Sequence, residues 1–340
     1  MNKLSKIITT ITLFVFVHSY SQTTSVRNLV FEGAGIRGIA YSGAIRELES
    51  KNILQNIQRV GGTSSGAITA LLLSIGYSAD EITTIVNSTP YKRFNDGRFF
   101  FIGGLNRFQK YFGWYRGKKF EQWLSKLIEE KTGNADITFQ ELVEKGSKDL
   151  YVTGTCLNKQ SLIVFSNENY PGMKVRDAVR ISMSIPFYFE AVFIDSTGNI
   201  VRRPKNKNGL DIMVDGGFTA NFPIKIFDST KYFEVTRQNV FAPNPQTIGF
   251  RIDRGDQIRN DTSGKGLAPF EINSLKDYFR AFYNIVIENL NRQTLTKEDW
   301  QRTVSISDGN VAPRVRRLSR KELAVLMDNG AAATLHFLSK

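Results

Sequence analysis

Short apolar runs alternate along this chain with longer segments whose apolar residues recur at helical spacing. The runs predict strands at 27–32, 57–62, 149–157, 160–166, 187–195, 199–203, 211–215, 246–252 and 302–307. The periodic segments predict helices at 36–51, 66–76, 79–88, 118–131, 138–146, 270–296 and 319–339. Strands that alternate with helices build a sheet covered on both faces, because each helix carries the chain back to start a parallel neighbour. The expected fold class is α/β, with a mainly parallel central sheet and helices on both faces. Two polar stretches read as surface: Arg202 to Gly209 as an exposed hairpin tip, and Arg254 to Lys265 as a mobile loop.

Three glycine clusters interrupt this pattern where strands end. In Gly62-Thr63-Ser64-Ser65-Gly66 a strand turns sharply into a helix, which is the setting of a nucleophile elbow. Gly62 and Gly66 let the turn be tight and the helix pack close, leaving Ser64 at the strand's carboxyl end. Asp215 follows the run from Leu210 to Val214, apolar but for Asp211, and precedes Gly216 and Gly217; taken alone it reads equally as a turn between two strands. The first cluster, Gly33-Ala34-Gly35-Ile36-Arg37-Gly38, also matches a dinucleotide-binding loop, but no acidic residue lies between Ser50 and Ala79 to hold a ribose. The same loop offers backbone N–H groups at a helix N-terminus, suited to a phosphate or an oxyanion. Arg37 reads as a support of that loop. The chain has two histidines, His18 near its start and His336 near its end, and neither is well placed as a base. A nucleophilic Ser64 would therefore need a carboxylate to activate it.

Together the three clusters resemble the patatin-like phospholipase family, in the family's own order. Asn221 and Pro223 follow Asp215-Gly216-Gly217 at the family's spacing. The block Asp177 to Phe187 is similar to the short helix ending at a proline that the family carries between nucleophile and aspartate. The blocks lie within 27–228. The resemblance implies a patatin-like three-layer architecture and a lipid acyl hydrolase of the phospholipase A or lysophospholipase type. It implies a catalytic dyad of Ser64 and Asp215, with an oxyanion hole drawn from Gly33, Ala34, Gly35, Ile36, Arg37, Gly38 and Ser65. Gly62, Gly66, Gly216 and Gly217 support the two turns. One departure is Ala34, where the family often has glycine. Two alternatives remain open at this point: an acyltransferase on the same site, and an inactive binding protein of the same fold.

The chain's ends and charge refine the picture. Lys3 and Lys6 precede an apolar stretch from Ile7 to Val17, and Ser19 and Ser21 flank a cleavage point before Gln22. Residues 1–21 thus read as a secretory signal peptide and 22–340 as one domain, exported to the periplasm or the medium. Its removal lowers the formal charge from +13 to +11. So basic a protein is drawn to anionic surfaces, and a phospholipid membrane bound peripherally is the expected partner. Nucleic acid is not, since no DNA- or RNA-binding motif appears. The segment from Tyr91 to Leu124 interleaves aromatic residues (Phe94, Phe99, Phe100, Phe101, Phe108, Phe112, Trp114, Trp123) with lysines and arginines. It reads either as an interfacial surface or as a half-buried cap. The single cysteine, Cys156, excludes an intrachain disulfide and reads as core. No metal-ligand cluster appears, so no metal and no cofactor is expected.

Overall fold

The computed structural model describes residues 26–89, 91–97, 102–233, 242–292, 294–311 and 317–340. The expected signal segment lies outside the described residues. Strand β1 (Asn28–Phe31) passes through a 3-10 turn (Gly35–Ile39) into helix α1 (Ala40–Ser50). Next come β2 (Arg59–Gly62), α2 (Ser65–Ser74), α3 (Ala79–Ser88), α4 (Ile102–Tyr111), β3 (Gly113–Tyr115), α5 (Lys118–Thr132) and α6 (Phe139–Glu144). The middle of the chain forms β4 (Asp149–Cys156), β5 (Ser161–Phe165), α7 (Val175–Ser182), β6 (Phe187–Phe189), β7 (Val192–Ile194), β8 (Asp211–Asp215) and α8 (Gly217–Ala220). The last part holds β9 (Thr247–Asp253), α9 (Gly255–Ser263), α10 (Leu275–Arg292), α11 (Lys297–Gln301), β10 (Thr303–Ser307) and α12 (Arg320–Leu338).

The main sheet has the order β10-β9-β1-β2-β4-β8-β7, with β5 added on β4. It is mixed. From β10 to β4 every pairing is parallel, whereas β4–β8, β8–β7 and β4–β5 are antiparallel. The four-residue link from Cys156 to Ser161 admits only an antiparallel hairpin. Alternation along β1 divides the core. Leu29 and Phe31 join the large apolar cluster built with α1, α2 and α12, while Val30 meets Tyr151 and Phe227 on the other face. The result is a three-layer arrangement.

Register explains how the sheet makes a site. β5 and β8 both pair with residues 154–156 of β4, so they take opposite edges. β2 and β5 both pair with Val152, so β2 lies on the edge that β8 uses. Along that edge β2 ends at Gly62 beside Val152, and β8 comes from the other direction and ends at Asp215 beside Gly154. Two strand ends therefore face each other across about 7 Å of β4, two residues of strand rise.

Three expectations are corrected. Arg254 to Lys265 is not a loop but contains α9, closed by Gly264 in the left-handed region. Gln257 pins it by donating to the Gly266 carbonyl (3.2 Å) and accepting from Ala268 N–H (2.8 Å), and Arg292 of α10 binds its Asp261. The strand expected at 187–195 is split into β6, which pairs with β3, and β7, in the main sheet. The strand expected at 199–203 is reduced to one bridge between Ile194 and Ile200.

Candidate active site

The turn at Ser64 exists because backbone segments touch there. A Cβ on Gly62 would run into the carbonyl of Gly66, and one on Gly66 would strike the carbonyls of Phe31 and Glu32. Ser64 sits at φ 53° and ψ −121°. Such a conformation costs a residue with a Cβ about 1–3 kcal/mol and is held only when its surroundings dictate it. Here Ser64 N–H donates to Ser182 Oγ (2.8 Å), at the middle of the Asp177-to-Phe187 block. Ser64 Oγ lies 3.5 Å from Met183 Sδ.

Asp215 meets this turn from the facing strand. Its N–H donates to the Ser184 carbonyl (2.9 Å), and its carbonyl accepts from Thr155 Oγ1 (2.9 Å). Its carboxylate accepts from Gly217 N–H (2.8 Å) and has the Ser64 hydroxyl close enough to favour its charged form. Gly216 lies against Thr153, whose hydroxyl shares a 2.6 Å hydrogen bond with Thr63. Ser64 and Asp215 are only 8% and 6% exposed. Burial pushes the Asp215 carboxyl from 3.8 up to about 7, against the Gly217 N–H and the Ser64 hydroxyl, which pull it down. A carboxylate so poised accepts a proton near neutral pH far better than an ordinary one.

The glycine loop after β1 closes the third side, and three of its amides already have acceptors. Gly33 N–H donates to the Asn221 carbonyl (3.0 Å), Ala34 N–H to Ser65 Oγ (2.9 Å) and Arg37 N–H to the Ala34 carbonyl (3.3 Å). Gly35, Ile36 and Ser65 open helical turns, and the first amides of a helix have no intrahelical acceptor. Gly38 packs against the Ser65 side chain. The Ala34 departure is accommodated without strain, because its φ is −130°; the left-handed residue is Gly35, at +57°. Arg37 supports this loop, bonding the Ala34 carbonyl (3.3 Å) and Asp308 (3.2 Å).

The other titratable groups are committed elsewhere. Glu32 is buried and binds Arg251 (3.1 Å) and the Ile252 N–H (3.1 Å). Asp211 lies at the far end of β8, bound to Lys159 (2.7 Å). His336 is exposed in the last turn of α12, and His18 is outside the described residues. Among the described residues no cluster of His, Cys, Asp and Glu is arranged to hold a metal ion. In the aromatic–basic segment, Phe94 packs on Phe120 and Trp123, and Phe108 on Trp114 and Phe187. Arg107 is buried and donates to the Trp114 carbonyl (3.1 Å). The segment is thus mainly a cap with an aromatic core of its own; Arg98 and Phe99 to Phe101 lie outside the described residues.

Three contributors carry no role in the sequence reading: Ser182, Met183 and Asn221. Asn221 clips the two glycine loops together, donating to the Gly33 carbonyl (3.1 Å) and to Glu32 (3.3 Å). Its place six residues after Asp215 was the available signal.

Comparison with known proteins follows the same geometry. The family model described as patatin-like phospholipase matches residues 29–228, which include every residue of this site. An uncharacterized protein of Acanthamoeba polyphaga mimivirus is 34% identical over 206 residues, 60% of this chain and 62% of that protein. A probable lipid hydrolase of Invertebrate iridescent virus 6 is 28% identical over 201 residues, 59% of this chain and 62% of that one. The chain thus spans about three fifths of the length of these relatives. Among solved structures, VipD from Legionella pneumophila superposes with a TM-score of 0.55 at 16% identity, over 93% of this chain and 67% of that one.

Proposed function

The chain belongs to the patatin-like phospholipase family, and from that premise we propose that it is a lipid acyl hydrolase, a serine esterase in which Ser64 is the nucleophile and Asp215 its general base. The observation that carries this reading is the convergence of a strained serine on a buried carboxylate held at about 7. The Ser64 proton passes to Asp215 as Oγ attacks the ester carbonyl carbon. The amides of Gly35, Ile36 and Ser65 are the open donors for the resulting oxyanion. Collapse expels the alcohol, which takes the proton back from Asp215. Water then attacks the acyl-enzyme while Asp215 again accepts a proton, which it gives to Ser64 Oγ as the acyl–oxygen bond breaks and the acid leaves. No step calls on a histidine.

A phospholipid surface is the partner that fits the formal charge of +11 left once residues 1–21 are removed. A stripe of exposed apolar residues on α10 adds to this: Leu275, Tyr278, Phe282 and Ile285. That helix packs on α8, which starts two residues after Asp215. Export to the periplasm or medium, with residues 1–21 removed, belongs to the same reading.

Labelling with a fluorophosphonate tests the nucleophile. The adduct is expected on Ser64, and Ser64→Ala should abolish it together with at least about 10³-fold of ester hydrolysis. An adduct on any other serine rejects the assignment.

A further inference from the structure

A cleft of about 510 Å³ lies apart from Ser64, between the start of α5, the β6–β7 connection and the chain after β7. Arg180 of α7 lines its inner side and is only 2% exposed. The guanidinium donates to Ser184 Oγ, to the Arg116 carbonyl (3.0 Å) and to the Glu190 carbonyl (3.3 Å). Its Nε–H is buried with no hydrogen-bond partner; the nearest carboxylate, Glu121, is 3.9 Å away. A buried charged donor left unsatisfied is costly, and its persistence in a walled cleft points to an acceptor from outside the chain.

The rest of the lining has the same bias. Arg116 and Lys118 stand at the start of α5, and Arg202 and Arg203 come from the stretch read from sequence as an exposed hairpin tip. Their partners in the cleft are few. Arg202 reaches Glu121 (3.0 Å) and Arg203 reaches Glu190 (3.2 Å), so five cations face two carboxylates. The α5 amides do not contribute, because Gly117 and Lys119 N–H already donate to Asp96 (2.7 and 3.0 Å). Recognition here falls to side chains. Planar guanidinium groups that converge from several directions match the oxygens of a phosphate better than a single carboxylate.

We propose that this cleft binds the phosphate group of a phosphorylated ligand, with Arg180 as the buried donor and Arg202 and Arg203 closing over it. The ligand's phosphate is either a lipid head group or part of a soluble ester. The cleft is tied to the nucleophile through α7: Ser182 and Met183, two and three residues beyond Arg180, touch Ser64. The proposal does not depend on hydrolysis, because binding is read directly.

The test uses the full chain and two probes: inorganic phosphate by calorimetry at low salt, and phosphatidylcholine vesicles doped with phosphatidic acid by sedimentation. Arg202→Ser with Arg203→Ser should lower affinity on the order of tenfold, as expected when hydrogen bonds to a charged group are lost. Both side chains are largely exposed, so this variant keeps the fold. Arg180→Met should lower it further, provided its circular dichroism is unchanged; if it misfolds, the double variant decides. Arg320→Ser with Lys321→Ser, equal in charge change and exposed at the start of α12, is the control and should bind as wild type. A loss seen with both probes assigns a general phosphate site, and a loss seen with vesicles alone assigns a lipid head group. The proposal is overturned if neither probe binds, if the double variant binds both as wild type does, or if the control loses as much.

Discussion

Burial holds the Asp215 carboxyl at about 7, and the cost falls on the fold. In the unfolded chain the group titrates near 3.8. Below that value both states carry the proton and the group adds nothing to stability. As pH rises from there to about 7, only the folded state keeps the proton, so stability falls; above about 7 the loss is complete. A difference of about three pKa units corresponds to about 4 kcal/mol. Asp215→Asn keeps the acceptor for Gly217 N–H but cannot ionise. It should therefore gain stability over wild type between about pH 4 and pH 7 and hold that gain above. Urea denaturation on both sides of this window checks it, and a stability difference that ignores pH contradicts the assignment. Ser64 and Asp215 are legible in the sequence because glycine neighbours mark both turns. Ser182, Met183 and Asn221 are not, because what they touch is set by strand register and not by their neighbours in sequence.

At the scale of elements, the parallel half of the sheet and most helices follow from apolar period and caps. Ser78 with Glu81, Thr138 with Glu141 and Ser319 with Glu322 form capping boxes at α3, α6 and α12. The antiparallel edge escapes such reading, since a short strand such as β8, with three apolar residues between two aspartates, carries no sign of its direction. α9 escapes too, because Ile258 is its only large apolar residue and contacts of Gln257 and Asp261 with residues outside the helix hold it. α10 is the element with a consequence for lipid. Its exposed apolar residues recur at spacings of three, four and three, which places them on one helix face. Phe282→Ser with Ile285→Ser should weaken sedimentation with phosphatidylglycerol vesicles several-fold while leaving hydrolysis of a soluble ester near wild type. Unchanged sedimentation would remove this face from the account.

At the scale of the molecule, the fold places the proposed acyl-transfer centre where two strands of opposite direction meet head to head on β4. The basic charge and the exposed apolar face of α10 are the features on which the proposed contact with lipid rests. No helix among the described residues is long and apolar enough to cross a membrane. Export requires processing before Gln22, after the small residues Ser19 and Ser21. N-terminal sequencing of the protein from its host should find a chain that begins at Gln22; a mature protein that retains Met1 would reject export by this route.

The central claim is that Asp215, and no histidine, takes the proton from Ser64. The pH dependence of kcat/KM for a lipid ester, measured on wild type and on Asp215→Asn, tests it most directly. Wild type should lose activity on the acid side as one group titrates near 7. Asp215→Asn should fall by at least about 10³-fold in kcat and lose that limb, while lipid binding stays near wild type. Turnover by Asp215→Asn within a few-fold of wild type, with the acid limb intact, would contradict the dyad.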